Sequence, residues 1–218
     1  MVSTKAFETT IPQIEAKLAS FGGDLVKVEY LENVLKQLLP NDVKRFCYLK
    51  LADAYALRLM FGLVARNMNA AADCATTPKD KVDFYQKAIT YLIKINDFMQ
   101  IDIAFKKALS FASEQQKSII KEKLKKDLMS HAQDYERKNK RSSASMVYER
   151  LLEMPITTDE ERKMLIEKLA KLNSGLGKIK EAIRYETMMK RPLEPRKSRD
   201  PDDNLKKVSW QDLGIDIA

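Results

Sequence analysis

The sequence predicts an all-α fold: antiparallel helical hairpins stacked as a short α-solenoid. Three observations predict it. Glycine and proline are scarce, six and seven in 218 residues, and the chain is rich in Ala, Leu, Lys, Glu, Ile and Met, all at home in helices. Apolar residues recur at three- and four-residue steps along most of the chain, the period of a helix with one buried face. Between residues 83 and 112 two such stripes follow each other at once. Phe84, Ala88, Tyr91, Leu92 and Ile95 form the first, and Phe98, Ile101, Phe105, Ala108 and Ala112 the second, with Asn96-Asp97 between them. Two amphipathic helices joined by about two residues must fold back antiparallel and pack their stripes together.

From the start, Ile11, Ile14, Leu18 and Phe21 make a short stripe closed by Gly22-Gly23. Asp24 can cap the next helix, where Val28, Leu31, Leu35 and Leu38 share a face until Pro40. Asn41 or Asp42 opens a long segment running towards Cys74. It is apolar on nearly every side between Leu49 and Val64, as expected of a helix that its neighbours cover, with Gly62 as a point of bending or splitting. Thr77 caps a restart with Pro78 in the first turn, where a missing N–H costs nothing. Ser113 with Gln116, and Thr158 with Glu161, are capping boxes that open two further hairpins. The first has stripes Ile120, Leu124, Leu128, Ala132, Tyr135 and Val147, Tyr148, Leu151, Met154, with a polar turn from Arg137 to Ser143. The second has Leu165, Leu169, Leu172, Leu176 and then Ile179, Ala182, Ile183, Tyr185, Met189, with its turn near Ser174 to Gly177. Phe105, Tyr148 and Leu169 are expected in the core, Lys125 and Lys138 in solvent.

Composition bounds the function only loosely. The net charge of +8 admits acidic surfaces, nucleic acid or an anionic membrane as partners, and ordinary solubility as well. The longest apolar stretch, Phe46 to Ala65, is interrupted by Lys50, Asp53 and Arg58, so no transmembrane segment is expected. Cys47 and Cys74 have no metal or redox spacing and are expected as reduced packing residues. With no secretory signal expected, the expected location is cytoplasmic.

Successive hairpins call for a repeat test. The aromatic residues of the second helices fall at Phe105, Tyr148 and Tyr185, 43 and 37 positions apart. The string LGKIKEAIRYE, Leu176 to Glu186, resembles the second half of a tetratricopeptide repeat, with Gly177 in the turn, Ala182 at the close helix contact and Pro192 near the exit. The spacing departs from the regular repeat, and the first helices lack its Trp and Leu-Gly pair. Irregular arrays of this kind are similar to vesicle-fusion adaptors of the soluble attachment type and to the helical tails of coat and transport-complex subunits. That resemblance implies an N-terminal helical region over 1–75, a tetratricopeptide-like array over 76–192, and a scaffold or adaptor that holds a protein partner within a larger assembly. It brings no catalytic residues.

No phosphate-binding loop, dinucleotide fingerprint or nucleophile elbow is present, so neither a cofactor nor an enzymatic activity is expected. His131 is the sole histidine and reads as a packing residue beside Leu128, Ala132 and Tyr135; no metal site is expected. Asp159-Glu160-Glu161 fits the favourable dipole of a helix start. The strongest charge feature is the turn Arg137, Lys138, Lys140, Arg141, four cations in five residues, preceded by a lysine face at Lys117, Lys121, Lys123, Lys125 and Lys126. It reads either as a solvated tip or as a contact for nucleic acid or other anionic phosphates.

Residues 193–218 read as an extended tail, polar and proline-rich at first and apolar at its end. Trp210, Leu213 and Ile215 there are candidate docking residues. They are expected either to fold back on the protein's own helices or to be presented to a partner.

Overall fold

A computed structural model describes residues 8–190, and these form ten α-helices with no strand among them. The tail residues Trp210, Leu213 and Ile215 lie outside the described residues. The chain divides into two compact units, Met1–Leu151 and Leu152–Ala218.

The first unit holds α1 (Ile11–Ser20), α2 (Asp24–Val34), α3 (Asn41–Leu57), α4 (Phe61–Asp73), α5 (Pro78–Lys94), α6 (Phe98–Phe111), α7 (Glu114–Arg137) and most of α8 (Arg141–Glu153). The second holds α9 (Asp159–Gly175) and α10 (Ile179–Lys190). Within the first, α2 touches α3, α3 packs on α4, α4 on α5 and α5 on α6, and α5 also touches α7. In the second, α9 packs on α10.

Side chains cap α5, α6, α7 and α9, whereas α1 to α4 start without one, and Asp24, expected as a cap, is the first residue of α2 behind Gly23. Thr77 accepts the Asp80 N–H at 3.1 Å ahead of Pro78, and Asp97 accepts that of Gln100 at 3.1 Å. Both expected capping boxes close, Ser113 with Gln116 and Thr158 with Glu161. Each reciprocal pair satisfies two of the backbone donors that a helix start leaves without partners.

The hairpin turns share one geometry. Leu59, Asn96, Asn139 and Gly177 occupy the left-handed region, with φ of 57°, 55°, 55° and 73°. The next N–H in each case, that of Met60, Asp97, Lys140 and Lys178, donates back to the carbonyl of Tyr55, Leu92, Tyr135 and Asn173 at 2.8–3.2 Å. This is the Schellman closure of a helix C-terminus. It returns the chain over three residues and joins α3 to α4, α5 to α6, α7 to α8 and α9 to α10.

Several expectations are corrected. The segment from Asn41 to Cys74 is a hairpin rather than one long helix, and it breaks at Arg58–Met60, not at Gly62. Its apolar surround is not covered on every side: Leu57 is 80% and Leu59 71% exposed, because both belong to the end of α3 and its turn. The buried face of α5 is Val82, Tyr85, Ala88, Ile89, Leu92 and Ile93, rotated from the expected stripe; Phe84 and Tyr91 are half-buried and Ile95 is exposed. Tyr85 is drawn inside because its hydroxyl donates to Asp73 of α4, which Lys107 also pairs at 3.0 Å. α2 stops at Val34, leaving Leu38 fully exposed and Leu39 buried. Lys125 is only half-buried, its ammonium 2.7 Å from Glu122. The basic turn is tighter than expected, since α8 already begins at Arg141. Phe105, Tyr148 and Leu169 are buried and Lys138 exposed, as the periodicity predicts.

Cys47 is buried, with its thiol pushed up to about 11 by desolvation, and Cys74 is half-buried; both are free thiols. Tyr148 of α8 donates to Glu136 of α7, and Arg150 of α8 pairs with Asp102 of α6, so the third hairpin is tied both internally and to the second.

Candidate functional site

Two surfaces of the first unit concentrate the unusual chemistry. One is a groove walled by α1, α2 and α3. Leu18, Ala19, Leu31, Ala54 and Leu57 supply apolar lining, and Glu15, Asp24, Lys27, Lys50 and Asp53 supply charges, around a volume of about 430 Å³. Leu18 and Ala19 stand near the end of α1, Leu31 in the middle of α2, and Ala54 and Leu57 one turn apart on α3, so three helices contribute to one cleft. Lys27 lies 3.8 Å from Asp24, and Lys50 sits 5.4 Å over the Phe46 ring, so both cations are partly held. Beside α2 and α3, the Tyr55 hydroxyl donates to Glu32 at 2.7 Å; burial first, and then that carboxylate, push its phenol up to about 12. This bond ties α3 to α2 and fixes one wall relative to another.

The other surface is the edge formed by the first three hairpin turns. Phe61 at the start of α4 meets Tyr91 near the end of α5 as a tilted ring pair at 5.9 Å, and Lys94 lies over both rings, at 4.7 and 5.1 Å. Ile95 approaches the position a Cβ on Gly62 would take to 3.6 Å, so the α3–α4 and α5–α6 turns are neighbours. Asn96 then reaches α7: its amide donates to the Tyr135 hydroxyl at 2.8 Å, and its carbonyl oxygen lies 3.2 Å from His131 Nε2. His131 packs edge-on against Tyr135 at 4.5 Å. Burial depresses the His131 pKa, the Lys138 cation depresses it further, and Asp134 opposes both. Two residues past Tyr135 the helix ends and the basic turn begins.

All four cations of that turn are exposed and stand together as expected: Arg137, Lys138, Lys140 and Arg141. Arg137 pairs with Asp134 at 3.0 Å. The first turn of α8 carries no acidic residue, so Lys140 and Arg141 stand at the positive end of a helix dipole, which favours anions. The lysine face of α7 does not extend this site as one surface. Lys117 pairs with Glu114 at 2.7 Å, Lys125 with Glu122, and Lys123 donates to Gln86 at 3.0 Å. The acidic run Asp159, Glu160 and Glu161 is used at the start of α9, where Glu161 closes the capping box and Asp159 lies 3.3 Å from Arg162. Among the described residues no group of three or more His, Cys, Asp or Glu is placed to hold a metal ion. No described helix is long and apolar enough to cross a membrane.

Sequence reasoning found the basic turn and missed the groove and the apolar turns. The available signal was the run Leu57, Leu59, Met60, Phe61: four large apolar residues on successive sides cannot all face one core. No family model matches the chain, and none of the curated proteins matches it.

Proposed function

We propose that the chain is a non-enzymatic helical-repeat scaffold, a short tetratricopeptide-like solenoid that holds a segment of a partner protein within a larger assembly. The observation that carries this reading is the α1–α2–α3 groove. Its size falls within the range of formed binding clefts. Its apolar lining with charges of both signs around it suits an amphipathic helix, which lays its apolar face into such a groove and meets the rim with its polar flanks. Hairpins support the same reading, because one hairpin cannot bury its own stripe and stacking leaves extended surface between helices.

The test is a photo-crosslinking residue at Leu57 in the cell of origin. One discrete protein adduct, lost when Ala19→Arg blocks the facing wall, supports the proposal; Ala19 is exposed, so that variant keeps the fold. Absence of an adduct, or one indifferent to Ala19→Arg, overturns it.

A second reading is favoured by the basic turn. Three cations, Lys138, Lys140 and Arg141, at a helix N-terminus without acids form a contact for nucleic acid or other anionic phosphates. Binding by this route weakens steeply with added salt, because each neutralised phosphate releases counterions.

A further inference from the structure

The basic turn is one of three turns along a single edge, and its neighbours on that edge are apolar. Leu59 is 71% exposed and Met60 45% at the α3–α4 turn; Ile95 is 42% exposed at the α5–α6 turn and Met99, the second residue of α6, 68%. The contacts of Phe61 with Tyr91, and of Asn96 with Tyr135 and His131, hold the three turns beside one another.

Leu59 is the anomaly. The other hairpins place Asn96, Asn139 and Gly177 at the left-handed position, the residue types that tolerate it. The first hairpin places a leucine there, at φ 57°, and leaves its side chain in solvent. Backbone strain without any packing gain is a mark of a position kept for something outside the fold.

The acids at this edge are occupied. Asp97 caps α6, Asp134 pairs with Arg137, and Glu136 accepts from Tyr148. Asp97 and Glu136 keep their charge while accepting these bonds, so five cations, Lys94, Arg137, Lys138, Lys140 and Arg141, stand against three acids, Asp97, Asp134 and Glu136, and the edge stays net positive. A nucleic acid would use the cations and leave the apolar side chains in water. Apolar side chains exposed beside cations are what a peripheral protein presents to lipid, the first entering between headgroups and the second meeting their phosphates.

We infer that the hairpin-tip edge of the first unit docks on an anionic membrane surface. Leu59, Met60, Ile95 and Met99 enter the headgroup layer, and Lys138, Lys140 and Arg141, with Lys94, contact lipid phosphates. This inference rests on the phosphate reading of the basic turn and gives those phosphates a source.

The test is flotation of the full chain with vesicles of phosphatidylserine and phosphatidylcholine, against pure phosphatidylcholine and against single-stranded RNA. Wild type is expected on the anionic vesicles and absent from the neutral ones. Replacing Lys138, Lys140 and Arg141 by Ser is expected to weaken binding about a hundredfold, at about fivefold per charge. Leu59→Asn gives the decisive sign: it relieves the turn, so the melting temperature holds or rises, while vesicle binding falls roughly tenfold. Equal vesicle binding by Leu59→Asn and wild type overturns the inference. RNA binding without vesicle binding overturns it and leaves the phosphate reading standing; binding to neither overturns both.

Discussion

Replacing Asn96 tests how the second hairpin is fastened to the third. The residue does two separable things: it holds φ at 55°, and it bridges Tyr135 and His131 at 2.8 and 3.2 Å. Asn96→Gly keeps the first role and removes the second. A neutral hydrogen bond contributes about 0.5–1.5 kcal/mol, so losing two costs about 1–3 kcal/mol, less whatever water restores to the half-buried ring groups. Asn96→Ala adds the penalty of an L side chain in the left-handed region, about 1–2 kcal/mol more. Asn139→Gly is the control, since Asn139 has the same backbone angle in an exposed turn; it should stay within about 0.5 kcal/mol of wild type. The assay is urea denaturation followed by far-ultraviolet circular dichroism. The expected order of midpoints is wild type and Asn139→Gly together, then Asn96→Gly, then Asn96→Ala. If Asn96→Gly matches the wild type, the bridge to α7 contributes nothing and the argument that these turns are held side by side fails.

Two further outcomes follow from the same features. Gly177 has φ +73° and open space where a Cβ would stand, so Gly177→Ala meets no clash and should cost only the backbone term, about 1–2 kcal/mol, read from the melting of the second unit. His131 has a folded-state pKa below its unfolded value of 6.5, so the unfolded chain binds the proton first; stability should fall as pH drops through 6.5, and His131→Gln should remove that slope in thermal melts between pH 7.5 and 5.5.

The helical class was legible because caps and breakers are local chemistry. Thr77-Pro78, Ser113 with Gln116 and Thr158 with Glu161 act within one turn of the chain, and the structure uses each one. The α5 stripe was misread because Tyr85 and Phe84 are equivalent by hydropathy pattern. What distinguishes them is the carboxylate of Asp73 on another helix, which gives the Tyr85 hydroxyl a partner inside. The first hairpin was hidden for a related reason. Its turn residue is Leu59, which carries no turn signal, while Gly62, past the break and already inside α4, points to the wrong place. Arg137, Lys138, Lys140 and Arg141 were readable as a cluster from spacing alone. Their apolar companions were not, because Leu59 and Ile95 come to that edge only through contacts between hairpins.

Packing between successive helices also bears on how the chain is made. α3 meets α4, α4 meets α5 and α5 meets α6, so each contact closes over a short stretch of chain and the entropic cost of closing it is small. The first hairpin has all its residues once Asp73 has left the ribosome and need not wait for the rest. Synthesis at about 5–20 residues per second gives each such pair seconds to form before the next emerges, far longer than helices need. Throughout that interval the newest hairpin shows the stripe meant for its successor. The nascent chain therefore carries an adhesive face that moves along the sequence as synthesis proceeds.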